Sequence, residues 1–249
     1  MLIYTADCTV APEGLSLRAL FRLLQDAAGA QCVPLHLAGP DLEKMGLMWV
    51  IVRCRVQIAR WPAPGESLRL RTWPGKARHG MMPRFYRLCG DAGAELRVSA
   101  VWAVVDRKTR SMVNGEDFGI HLDPSETGEE IRLPGAVKRL DTPNERDFTV
   151  PADYLDTNGH MNNTFYYAVA ERCLGRDARQ DAPGEILTEH QSEALCGETL
   201  HLRWGEENGL CYISGEHGDR PVFRMNLRYD PATVPAGLPD AFKEPGAKA

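Results

Sequence analysis

The chain has 249 residues, 43% hydrophobic and 25% charged, which suits one large domain or two small ones around an ordinary core. Its formal net charge of −5 argues against global attraction to nucleic acid, so an acidic partner needs a local basic patch. Seven scattered cysteines with no C-x-x-C pair exclude a zinc or disulfide framework, and no run approaches the roughly 18 apolar residues of a membrane span. Residues 2–10 read as a short strand. Leu15, Leu17, Leu20, Phe21, Leu23, Leu24 and Ala28 recur near helical spacing, and this helix is apolar nearly all round, as an enclosed helix would be. Strands are predicted at 49–58, 67–73, 83–88 and 95–106, the last two separated by the turn Gly90-Asp91-Ala92-Gly93. In the second of these, Leu68, Leu70 and Thr72 alternate with Arg69 and Arg71.

From 107 to 146 the periodicity dissolves into Gly, Pro and charged residues, as in a connection between units. The plan then restarts with a strand at 147–151, a helix at 163–174, and strands at 186–194, 198–204, 209–215 and 222–229. Gly65-Glu66-Ser67-Leu68 in the first half corresponds to Gly197-Glu198-Thr199-Leu200 in the second. One strand, one enclosed helix and a meander, twice over, imply a duplicated antiparallel sheet wrapping its helices, an α+β fold. The expected units are 1–112 and 146–230, joined by a linker at 113–145, with 231–249 as a flexible tail.

The densest polar cluster is Asp156-Thr157-Asn158-Gly159-His160-Met161-Asn162-Asn163, just before the second helix. Its bland interpretation is a turn followed by a helix cap at Asn162 or Asn163. The functional interpretation brings Asn158 and His160 to a cleft at a helix start, where backbone N–H groups favour a developing negative charge and His can move a proton. Aligning Gly14 with Gly159 sets Ala11 against Asp156, Glu13 against Asn158 and Leu15 against His160. Aligning Gly65 with Gly197 sets Trp61 against Glu193. One half therefore looks like a scaffold and binding surface and the other like a reaction site.

These segments resemble the plant and bacterial fatty acyl-ACP thioesterases. The likeness is carried by Tyr154 to Asn163, by Ile186-Leu-Thr-Glu-His-Gln-Ser-Glu-Ala-Leu-Cys-Gly-Glu198, and in the first half by 49–58, Arg60-Trp-Pro-Ala-Pro-Gly-Glu66, Thr72-Trp-Pro74, Ser99-Ala-Val-Trp102 and Asp106-Arg-Lys-Thr-Arg110. It extends from about residue 3 to residue 229. The resemblance implies a double hotdog fold, no cofactor and no metal. Its catalytic positions fall on Asp156, Asn158, His160 and Glu193. Glu193 would activate water as a general base or attack directly as a nucleophile, Asn158 and His160 would orient water and the thioester carbonyl, and Asp156 would hold the turn. Plant members carry a cysteine directly after that glutamate. Here Ala194 follows Glu193 and Cys196 is expected to be a small buried hydrophobe rather than a nucleophile.

The implied partner is acyl carrier protein bearing a phosphopantetheine-linked fatty acyl chain, with a cytoplasmic location and no nucleic acid or membrane span; a homodimer is compatible with this. The opening residues lack the basic and apolar regions of a signal peptide. Lys76, Arg78, Arg84, Arg107, Lys108 and Arg110 are candidates for a docking patch, against the plainer alternative of a solvated strand face. Leu20, Leu24 and Met48 are candidates for walls of the acyl site. The other histidines have no partners at metal spacing. Competing functions are a hotdog acyl-CoA thioesterase, a hotdog enoyl-thioester hydratase and a non-catalytic acyl-binding module.

Overall fold

The computed structural model describes residues 3–124, 127, 129 and 131–229, so the expected flexible tail lies outside the described residues. In chain order the elements are β1 (Tyr4–Thr9), α1 (Leu17–Cys32), a 3-10 turn (Val33–Leu35), α2 (Gly39–Lys44), β2 (Leu47–Arg60), β3 (Ser67–Pro74), β4 (Met81–Gly90), β5 (Glu95–Asp106) and the short β6 (Met112–Val113). After a 3-10 turn (Gly115–Phe118) come β7 (Asn144–Thr149), a further turn (Ala152–Tyr154), α3 (Phe165–Leu174), β8 (Glu185–His190), β9 (Thr199–Glu207), β10 (Leu210–His217) and β11 (Arg220–Arg228).

The strands form one antiparallel sheet in the order β1-β3-β4-β5-β2-β8-β11-β10-β9-β7, with β6 paired to β5. Outward from the middle, each half follows the same rule: the strand after the helix, then the last, third and second strands of its meander, and the strand before the helix at the edge. The halves meet where β2 pairs with β8, with Cys54 opposite Thr188. Arg53–Glu189 at 3.0 Å and Arg55–Glu185 at 2.6 Å tie this seam with opposite charges.

The two halves share fine detail. Val10 N–H donates to Glu66 O and Gly65 N–H to Val10 O; Val150 N–H donates to Glu198 O and Gly197 N–H to Val150 O. Ala63 N–H reaches Glu66 Oε2 at 2.8 Å, and Leu195 N–H reaches Glu198 Oε2 at 2.9 Å. The Gly-Glu pair recurs because its carboxylate closes the same turn both times, while glycine at φ 78° and 79° takes the left-handed conformation there.

α1 starts where Ser16 Oγ accepts the Ala19 N–H. It buries Leu17, Leu20, Phe21, Leu24, Ala27 and Ala28. The expectation that it is apolar nearly all round needs correcting. Arg22, Asp26 and Gly29 form an exposed stripe at helical spacing, with Arg22 and Asp26 paired at 3.6 Å. On the inner face Phe21 stacks on Tyr167 of α3 with ring centroids 3.4 Å apart, joining both helices to one core.

Two boundaries differ from the sequence reading in ways that shape the site. α3 begins at Phe165 rather than 163, because Asn162 Oδ1 takes the N–H and hydroxyl of Thr164 and holds the preceding residues in a turn. β8 ends at His190 rather than 194. There Gln191 and Ser192 N–H groups both converge on Val222 O, which ends the ladder and sets Glu193 on a loop.

Candidate active site

The polar cluster folds into a tight loop before α3. Asp156 Oδ1 accepts the N–H of Asn158 at 2.8 Å and lies 3.4 Å from that of His160, while Asp156 N–H donates to His160 O at 2.8 Å. Gly159 makes the reversal possible at φ 79°. The loop docks on the segment carrying Glu193: Met161 N–H donates to Ala194 O at 2.8 Å, and His160 pairs with Leu195 as an isolated bridge.

That second segment is braced from β11. Arg220 Nη2 sits 2.7 Å from both Glu198 oxygens, and Arg220 Nη1 donates to Glu193 O. Burial pushes the Glu198 carboxyl up, but the Leu195 N–H and the Arg220 guanidinium outweigh it and hold the group below the usual carboxylate range. Glu198 is therefore an ionised clamp that fixes the loop, which in turn fixes the position of Glu193.

Three side chains then meet at one point. His160 Nε2 is 2.9 Å from Glu193 Oε2, Arg110 Nη1 is 3.1 Å from Glu193 Oε2, and Arg110 Nη1 is 3.1 Å from His160 Nε2. Alongside, Arg107 Nη1 donates to Asn158 Oδ1 at 2.9 Å, and Arg107 Nη2 lies 3.4 Å from Glu43. Both arginines come from the turn between β5 and β6, so this cluster is assembled from both halves of the chain. A cavity of about 210 Å³ opens beside it, with Asp156, Asn158 and Asn163 at its polar end and Leu37, Trp49 and Trp102 among its apolar walls. Gln25, Trp102 and Asn163 also border a smaller cavity of about 30 Å³ running in toward Leu24, Ile51 and Tyr167. His160 and Glu193 line neither cavity; it is Asn158, on the same loop as His160, that joins the imidazole–carboxylate pair to the apolar recess.

Known proteins share this chain's architecture and parts of its sequence. Residues 2–121 match the family model for the acyl-ACP thioesterase N-terminal domain. The chain is 23% identical over 243 residues to the chloroplastic acyl-[acyl-carrier-protein] hydrolase FATB3 of Cuphea viscosissima, covering 86% of this chain and 55% of that protein. The chain carries the N-terminal domain of the acyl-ACP thioesterase family. It spans about half the length of the curated relatives it matches. Among solved structures, an acyl-ACP thioesterase from Bacteroides thetaiotaomicron superposes with a TM-score of 0.77 at 18% identity, covering 92% of this chain and 98% of that one. The 12:0-ACP thioesterase from Umbellularia californica superposes with a TM-score of 0.75 at 18% identity, covering 92% and 97%. The fold is a double hotdog.

Within that fold the sequence candidates separate. Leu24 borders the inner cavity, whereas Leu20 is fully buried in the core and borders neither cavity. Met48 is buried with its Sδ 3.8 Å from Arg110 Nη1. Of the proposed docking cations, Lys76, Arg78 and Lys108 are exposed. Arg84 is not available to a surface partner: it is 4% exposed and donates to Gln31 Oε1 and Thr72 Oγ1. Arg107 and Arg110 sit against Asn158, His160 and Glu193 rather than on a separate docking face. Cys196, expected to be buried, is exposed at the turn before Gly197. Among the described residues no group of three or more His, Cys, Asp or Glu could hold a metal ion, and no helix is long and apolar enough to cross a membrane.

Sequence reasoning missed Arg220 and assigned Arg107 and Arg110 to a docking patch rather than to the site. Charge alone cannot tell a docking arginine from one folded back on a carboxylate. Arg110 does carry a structural mark, a left-handed φ of 57° in a residue with a full side chain. Such strain concentrates where a side chain is being aimed.

Proposed function

We propose that this chain hydrolyses fatty acyl thioesters carried on the phosphopantetheine arm of acyl carrier protein, releasing a free fatty acid and the carrier thiol. The observation that carries this reading is the His160–Glu193 pair at 2.9 Å on the loop whose Asp156 and Asn158 line the polar end of an apolar recess. The acyl chain would lie in the recess with its thioester at the polar end. Glu193 Oε2 is occupied by His160 and Arg110, leaving Oε1 to take a proton from water. The water oxygen bonds to the thioester carbon and the carbonyl oxygen becomes an oxyanion, which accepts from Asn158 and the amides near the α3 start. Collapse of that intermediate breaks the C–S bond, and the proton held by Glu193 passes to the departing thiolate.

The carrier would dock by its acidic surface on Lys76, Arg78 and Lys108, since the chain as a whole is net negative. All seven cysteines are free, which supports a reducing compartment such as the cytoplasm. Hydrolysis of acyl-ACP and acyl-CoA of matched chain length tests the reading. Acyl-ACP should be turned over with the higher kcat/KM. Preference for acyl-CoA would reassign the substrate, and hydration of an enoyl thioester without thiol release would reassign the reaction.

A further inference from the structure

We propose that Arg107 and Arg110, on the β5–β6 turn of the first half, are the positioning residues of the reaction centre in the second half. This role rests on the thioesterase reading above. Each arginine resolves an ambiguity that the site residues cannot resolve by themselves.

Asn158 presents either an oxygen or an NH₂ group in nearly the same shape. A guanidinium only donates, so Arg107 at 2.9 Å admits only the oxygen on its side. The amide is thereby locked with Nδ2–H turned away from Arg107, as a donor for the thioester oxygen. Asp156 holds the backbone beneath, with Asn158 N–H at 2.8 Å, so the side chain and its loop are both constrained. Without Arg107 the amide can flip and offer an oxygen to a developing oxyanion, which is repulsive.

Arg110 acts on the other pair. His160 Nε2, Glu193 Oε2 and Arg110 Nη1 form a triangle with sides of 2.9, 3.1 and 3.1 Å. When Nε2 carries a proton, it donates to Glu193. When it does not, Nε2 can accept from Arg110, which also holds Glu193 in place. His160 thus has a partner in both protonation states, and neither state leaves a partly buried nitrogen unsatisfied. The left-handed backbone of Arg110 is what turns its side chain back onto this point. Asp106 organises that turn, accepting the N–H groups of Lys108 at 2.9 Å and Thr109 at 2.7 Å.

A structural role would show as lost stability, and a docking role as a carrier-specific defect. Arg110 is 46% exposed in its side chain, and exposed pairs contribute little to stability, so removing it should cost activity rather than fold. The test compares wild type with Arg110→Gly, Arg110→Lys, Arg107→Gln and Arg107→Lys on two substrates: acyl-ACP, and an acyl-pantetheine that carries no protein. Glycine is chosen at 110 because it relieves the left-handed strain while removing the guanidinium. We expect kcat to fall about tenfold or more on both substrates for Arg110→Gly and Arg107→Gln, with partial recovery in the lysine variants. Tm should not fall for Arg110→Gly. A defect confined to KM for acyl-ACP would overturn the proposal in favour of docking. Unchanged kcat on acyl-pantetheine, or loss of kcat only in step with a lowered Tm, would overturn it as well. A wild-type chain inert toward every acyl thioester would overturn the thioesterase reading and this role together, whereas an active wild type with fully active variants overturns this role alone.

Discussion

His190, the last residue of β8, should make this protein acid-labile in a measurable way. Its Nε2 is buried with no hydrogen-bond partner among the described residues, and its ring meets Tyr166 edge-on at 5.3 Å. Burial holds the imidazole down from its usual 6.5 to about 4, because the charged form has no compensating partner there. The folded state therefore binds the proton less readily than the unfolded chain does. The associated stability is fully present above pH 6.5 and is lost as the pH falls from 6.5 toward 4, with no further loss from this group below that. The gap between the two values, at roughly 1.36 kcal/mol per pH unit, corresponds to about 3 kcal/mol. That is a large fraction of a typical folding free energy. His190→Phe keeps a ring against Tyr166 and removes the titration. Urea unfolding of both proteins at about pH 7.5 and about pH 4.5 isolates the effect, since the carboxylates titrate alike in each. Wild type should lose about 2–3 kcal/mol more than the variant between the two conditions. Equal losses would mean that the imidazole finds a partner or water in solution, and the reasoning would fail.

Replacing His160 or Asn158 with Ala should lower kcat about 100-fold or more in a folded protein, read by thioester hydrolysis alongside circular dichroism; near-normal turnover would remove this cluster from the chemistry. Cys196→Ala should retain most activity, because Ala194 and not a thiol follows Glu193, and trapping of an acyl group on Cys196 would contradict that. Enlarging Leu24, which borders the inner cavity, should shorten the preferred acyl chain. Each buried CH₂ is worth about 0.8 kcal/mol, so excluding two carbons should shift selectivity about tenfold, and a flat length profile across an acyl series would place the chain elsewhere.

The strands were legible because their alternation is strict. Leu68, Leu70 and Thr72 are buried as the pattern requires, and β5 has the boundaries that its apolar run predicts. The duplication was legible because the Gly-Glu turn does the same structural job twice. What the sequence concealed were places where a side chain ends an element. Asn162 delays α3, and the convergence on Val222 O stops β8 short of Glu193. Short helices are similarly opaque: α2 has six residues, too few to show a period. For the candidate site, the loop carrying Asp156, Asn158 and His160 stood out as the densest polar cluster, and its roles came from the resemblance. The contribution of the first half could not be found this way, because only the folded chain brings residues 107 and 110 beside residues 158, 160 and 193.

The same duplication explains why one site rather than two is assembled. In the first half, the position matching His160 is Leu15 and the position matching Glu193 is Trp61. They still meet, but through Trp61 Nε1 donating to Leu15 O at 3.2 Å. This contact is a neutral bond to backbone, which holds the loop without offering a proton. The second half is longer before its glycine, with the extra turn Ala152–Tyr154, and Tyr154 stacks on Phe165 at 3.8 Å as α3 begins. That insertion leads into Asp156, whose carboxylate then shapes the turn. With Leu15 and Trp61 at these positions, the first half instead presents its β5–β6 turn to the other. A cation placed there touches the carboxylate and imidazole without belonging to their loop. On the proposed function, one half would carry the reacting groups and the other would orient them.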